Sequence, residues 1–118
     1  MVTESVCAVV VTYNPAPTFV DNALAIATQV GQVVVVDNGS SGGTESQLQR
    51  LDTAIGCHLI RNRENLGIAA ALNLGVRYGI DGGFEWICTF DQDSQVCDEF
   101  VSKMQNFPMT EAKNAICG

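Results

Sequence analysis

Two runs of the chain, Val6 to Thr12 and Val33 to Val36, are almost continuously apolar and rich in β-branched residues. A strand wet on one face alternates apolar with polar residues, so unbroken runs of this kind fit strands buried on both faces, as in a parallel sheet. Cys57 to Ile60 supplies a third short strand and Phe84 to Phe90 a fourth. Helical patterns lie between them. Val20, Ala23, Leu24, Ala27 and Val30 recur at helical spacing, with Asn14 or Thr18 placed to cap the start and Gly31 to end the helix. The glycine- and serine-rich turn Asp37 to Gly43 precedes a modest helix around Glu45 to Thr53. The polar turn Arg61 to Asn65 precedes an alanine-rich helix, Leu66 to Tyr78.

This alternation predicts an α/β fold with right-handed crossovers and a parallel, Rossmann-like sheet carrying helices on both faces. The 118 residues, 47% of them hydrophobic, suffice for one core, so a single domain over residues 1–118 is expected. In open α/β sheets, ligands bind where the loops leave the carboxyl ends of the strands. Polar clusters follow three of those ends: Tyr13 and Asn14 after the first strand, Asp37 after the second, Asp91 and Asp93 after the fourth. Their convergence on one edge is what separates a site from ordinary solvated turns.

Asp91 and Asp93 place two carboxylates close together at the end of a buried strand, where their repulsion calls for a cation. Carboxylate oxygens suit Mg²⁺ or Mn²⁺, and Mg²⁺ commonly completes its shell with substrate phosphates and water. Such an ion would bridge the acidic turn to a diphosphate and stabilise the charge developing on that leaving group. The bland alternative is an acidic turn capping a helix from Asp98. Asp37 sits where a carboxylate can accept hydrogen bonds from a nucleoside base or ribose, although Asp-Asn-Gly-Ser is also simply a good turn.

Other classes are disfavoured. The turn Thr12-Tyr13-Asn14-Pro15 lacks the glycines of a dinucleotide fingerprint or a P-loop. A receiver domain would carry its acidic pair after the first strand. The net charge of −7 argues against nucleic acid as a partner. The five cysteines are scattered, with no CxxC pair, so reduced and mostly buried thiols are expected rather than disulfides or a zinc site. His58 reads as a hydrogen-bonded structural residue, Trp86 as core, and Tyr78 and Phe84 as packing around the turn Asp81-Gly82-Gly83. No apolar stretch approaches the roughly 20 residues of a membrane span. Thr3, Glu4 and Ser5 lead directly into the first strand, with no room for a signal peptide. A cytoplasmic location follows as an expectation.

Four segments taken together resemble the family 2 glycosyltransferases. They are Val9 to Asn14, Val35 to Ser40, Asn65 to Gly75, and Asp91-Gln92-Asp93-Ser94, in that family's order and spacing. The resemblance covers roughly Val6 to Cys97. It implies the nucleotide-binding half of a GT-A fold, a nucleotide-diphosphate sugar donor and inversion at the anomeric carbon. It implies that Thr12, Tyr13 and Asn14 lie at the nucleoside, that Asp37 contacts the base, Asp91 the ribose and Asp93 the metal. The Asn65 to Gly75 segment would line the donor pocket, with Asn65 at its start and Gly67 giving the backbone close approach at a helix N-terminus, a place suited to anions. Asp-Gln-Asp-Ser, with Glu64 to Ile68, is similar to the bacterial rhamnosyltransferase branch, implying a dTDP- or UDP-linked donor.

The same resemblance places the acceptor-binding half, with its general base, beyond Gly118. The chain is therefore expected to bind donor while transferring little or no sugar. A glycan or lipid-linked acceptor, in a full-length protein at the inner face of the membrane, is implied. The competing readings are a nucleotide-sugar-binding module without catalysis and a nucleotidyltransferase, which usually carries a glycine-rich basic loop after its first strand.

Overall fold

The computed structural model describes residues 3–93 and the backbone of 115–117. The elements run β1 (Thr3–Thr12), α1 (Phe19–Ala27), β2 (Val30–Asp37), a 3-10 turn (Gly42–Thr44), α2 (Glu45–Thr53), β3 (Cys57–Arg61), α3 (Ile68–Asp81), β4 (Trp86–Asp91) and β5 (Ala115–Cys117). The sheet order is β3-β2-β1-β4-β5 and every neighbouring pair is parallel. The four expected strands are present. The fifth, β5, was not anticipated.

The valine runs behave as their composition predicts. Val6 to Val10 and Val33 to Val36 are fully buried, and alternate residues of β1 face opposite sides. Val6, Ala8 and Val10 pack with Val20, Ala23 and Ile26 of α1 and Leu51 of α2. Cys7 and Val9 pack with Ala71 of α3 and Ile87 of β4, flanked by Leu72, Val76, Tyr78 and Phe84. The helices thus cover both faces. Each fully buried valine contributes roughly 1.5–3 kcal/mol, which is why the sheet centre dominates the core.

α3 lies close upon the sheet because its inner ridge is small. A β-carbon at Gly75 would overlap the Cγ1 methyl of Val9 and come within 3.2 Å of Val36 Cγ2. At Gly79 it would press on Ile87 Cδ1 at 3.1 Å and Cys7 Sγ at 3.2 Å. The sequence pattern of Ala71, Gly75 and Gly79, one helical turn apart, is the local cause of this approach.

Several boundaries differ from expectation. α1 ends at Ala27, and Val30 and Gly31 belong to β2. Val30 pairs with Thr3 across the sheet, and Gly31 lies so close to the Glu4 carbonyl that a β-carbon would overlap it. Thr18 occupies the N-cap position without a side-chain cap bond, and Asn14 is engaged elsewhere. α3 begins at Ile68 rather than Leu66, because Gly67 holds a positive φ of 87° that a right-handed helix cannot include. It also runs three residues further, to Asp81.

His58 has a structural contact: it stacks on the Tyr78 ring, with centroids 4.1 Å apart and planes inclined by 12°. That contact ties β3 to α3 through ring faces. Trp86, Tyr78 and Phe84 pack against the core as expected. Cys7 and Cys57 are free thiols, whereas Cys88 is disulfide-bonded, contrary to the reduced state expected of it. Sequence spacing did not show this because cysteine pairing follows proximity in the folded chain. Ser94, Cys97 and Asp98, to which sequence roles were given, lie outside the described residues. No helix among the described residues is long and apolar enough to cross a membrane.

Candidate donor-binding site

Register brings the three polar strand ends level. Thr12 is opposite Asp37 in the β1–β2 pair, and Val11 is opposite Asp91 in the β1–β4 pair. All three strands run the same way, so Asp37, Asp91 and Asp93 share the carboxyl edge of the sheet. A cleft of about 680 Å³ opens there. Tyr13 and Thr12 line it from β1, Asn65, Ile68 and Leu72 from the α3 side, and Asp91, Gln92 and Asp93 from β4.

Of the residues singled out by sequence, Thr12, Tyr13, Asn65, Asp91 and Asp93 come together in this lining. Asn14, Asp37 and Gly67 are not in that lining. Asp37 is only 2% exposed. Its carboxylate accepts hydrogen bonds from the Thr12 hydroxyl (2.8 Å), the Ser40 hydroxyl (2.6 Å) and the Ser40 backbone N–H (3.0 Å). A buried carboxylate with this many donors is a structural anchor for the turn that follows β2. Asn14, at a positive φ of 46°, donates its N–H to Ser40 Oγ at 2.7 Å and accepts from the Ser41 N–H at 2.9 Å. It stitches the turns after β1 and β2 together.

Two residues were missed as individuals. Asn38 is 3% exposed and lines the cleft. Its Nδ2 donates to Asn65 Oδ1 (3.0 Å) and the Gly67 carbonyl (3.2 Å), while its Oδ1 accepts from Leu66 N–H (2.9 Å) and Asn62 Nδ2 (3.2 Å). The loop before α3 hangs on this one carboxamide. Gly39 lets the two loops approach, since a β-carbon there would lie 2.8 Å from Glu64 backbone atoms. Gln92 is the second, bonded to the backbone of Tyr13 at 2.9 and 3.4 Å. Neither has a sequence signal beyond its place beside a strand-end aspartate.

The charge of the cleft is one-sided. Asp91 and Asp93 are exposed carboxylates in its lining, and no lysine or arginine lines it among the described residues. Arg61 is turned to Glu45 in a two-point pair of 3.0 and 2.5 Å. That bond and the attraction behind it hold the Glu45 carboxyl below its ordinary range and raise the guanidinium. Both groups are exposed, so the pair adds little to stability.

The sequence profile of Glycosyl transferase family 2 matches residues 7–118. The chain belongs to this family. A dTDP-rhamnosyl transferase, RfbF of Shigella flexneri, is 38% identical over 105 residues, which are 86% of this chain and 33% of that protein. Among solved structures, S. aureus TarS 1-349 superposes with a TM-score of 0.66 at 19% identity, covering 85% of this chain and 31% of that one. The likeness supports the parallel α/β sheet of the GT-A fold. The chain spans about a third of the length of both.

Family 2 glycosyltransferases generally use a divalent cation. No group of three or more potential metal-ligating side chains exists among the described residues; Asp91 and Asp93 are the two carboxylates in the cleft lining. Mg²⁺ is commonly held by one or two carboxylates, with phosphate oxygens and water completing its shell.

Proposed function

We propose that this chain forms the donor-binding part of an inverting glycosyltransferase that takes a dTDP-linked deoxyhexose, rhamnose, and passes it to a glycan or lipid-linked acceptor bound by another part of the protein. The supporting observation is the pair of exposed carboxylates in a cleft that, among the described residues, no lysine or arginine lines, level with Tyr13. A diphosphate is repelled by such a cleft unless a divalent ion lies between the two. Asp93 would hold Mg²⁺ or Mn²⁺, which when bound supplies Lewis-acid stabilisation of the departing diphosphate. Tyr13 offers a half-exposed ring against which a base can stack. Asp91, at the strand end, would contact the ribose.

The thymidine and deoxy-sugar assignment draws on the dTDP-rhamnosyl transferase similarity and on the apolar side of the cleft. Val11, Ile68, Leu72 and Phe90 give that side a surface suited to the thymine methyl or the methyl carbon of a 6-deoxy sugar. A nucleotidyltransferase finds no support, since the β1 turn carries neither glycines nor basic residues.

Calorimetric titration of dTDP, UDP and GDP, each with Mg²⁺, with Mn²⁺ and with a chelator, tests the reading. The expected result is metal-dependent binding of a pyrimidine diphosphate, weakened at least ten-fold by Asp93→Asn. Metal-independent binding would favour a sensing module, and no binding a remnant without a ligand. Appreciable sugar transfer by the purified chain would overturn the view that the acceptor part lies elsewhere.

A further inference from the structure

The residue between the two aspartates has a job of its own. The Tyr13 N–H donates to Gln92 Oε1 at 2.9 Å, and Gln92 Nε2 donates back to the Tyr13 carbonyl at 3.4 Å. The β1–β4 ladder ends at the Val11–Asp91 pair. One carboxamide therefore supplies, with a side chain, the donor and acceptor that a further pair of strand residues would have supplied with backbone. The contact joins residues 79 apart in sequence.

Its consequence falls on Tyr13, which is 49% exposed on the cleft and lies past the last ladder pair of β1. Without Gln92 the Tyr13 peptide would have only water as a partner, and its ring direction would be free to vary. Only an amide of this length carries donor and acceptor on one planar end: glutamate retains the acceptor alone, and methionine neither. We infer that Gln92 is a positioning residue for the nucleoside, fixing the Tyr13 ring at the cleft while Asp93 serves the charged part of the donor. This rests on the donor-site reading above.

The chain contains two tyrosines, Tyr13 and Tyr78, so protein labelled with fluorotyrosine gives two fluorine resonances, assigned by loss of one in Tyr13→Phe. Tyr78, on α3 and stacked on His58, is the internal control. In Gln92→Met the Tyr13 resonance is expected to move and that of Tyr78 to stay. The affinity for dTDP in Mg²⁺ is expected to fall about ten-fold, the scale of two lost neutral hydrogen bonds. Mg²⁺ affinity without nucleotide is expected to hold. Gln92→Glu, keeping the acceptor for the Tyr13 N–H, should return the Tyr13 resonance part of the way. If Gln92→Met loses the native circular dichroism, Gln92→Asn, one methylene shorter, carries the same comparison. An unmoved Tyr13 resonance with wild-type dTDP affinity overturns the proposal, as does a loss of Mg²⁺ affinity in step with dTDP. Failure of the wild-type chain to bind any nucleoside diphosphate removes the donor reading and the nucleoside role with it. The fluorine spectra would still report separately whether Gln92 holds Tyr13.

Discussion

The Thr12 hydroxyl donates a 2.8 Å hydrogen bond to Oδ1 of Asp37, joining the ends of β1 and β2 at a registered pair. Both side chains are buried, and Ser40 adds two further donors to the same carboxylate. Asp37→Ala removes the acceptor and leaves the Thr12 hydroxyl unpaired in the interior. Hydrogen bonds to a charged group are worth roughly 1.5–3 kcal/mol each and are not additive, so a loss of about 3 kcal/mol is expected in urea unfolding followed by circular dichroism. Asp37→Asn, which keeps Oδ1 but turns a donor toward the Ser40 N–H, should lose about half as much. Unchanged stability in both would mean that the carboxylate is free to serve a ligand directly.

Asn38 governs the loop before α3. Asn38→Ala takes away the acceptor of the Leu66 N–H and both anchors to Asn65 and Gly67. Amide exchange at Leu66 is expected to accelerate at least ten-fold, about 1.4 kcal/mol of local protection, while amides in the centre of β1 change less. Asn38→Asp retains the Leu66 acceptor but opposes Asn65 Oδ1 and the Gly67 carbonyl. It should protect Leu66 better than alanine and still bind nucleotide more weakly than wild type.

Burial pushes the Cys7 thiol up from 9.0 to about 11, and raises Cys57 in the same direction. In the unfolded chain these thiols ionise near their ordinary value, whereas the folded chain holds them neutral. The stability that Cys7 contributes is complete below pH 9 and is lost as pH rises toward about 11. Thermal midpoints measured across this range should fall for wild type and fall less steeply for Cys7→Ala. Parallel curves for the two proteins would show that Cys7 is not the group responsible.

What the sequence determined by itself is the kind of sheet and the edge that matters. Valine runs without polar interruption encode strands covered on both sides, and strand-helix alternation encodes parallel pairing, because both patterns record burial, a property each residue carries locally. The register then had to bring Asp37, Asp91 and Asp93 to one edge, as it does. Only the tertiary structure decided which polar side chains face the cleft and which turn inward. Asp37 is spent on Thr12 and Ser40, Asn38 holds the α3 loop, and Gln92 completes the end of β1. The same holds for Gly31, taken for a helix stop by local pattern yet placed in β2 by the nearness of Glu4, and for the disulfide state of Cys88. A hydrogen-bond partner 25 or 79 residues away leaves no periodic trace, since its choice depends on the strand neighbour that folding supplies.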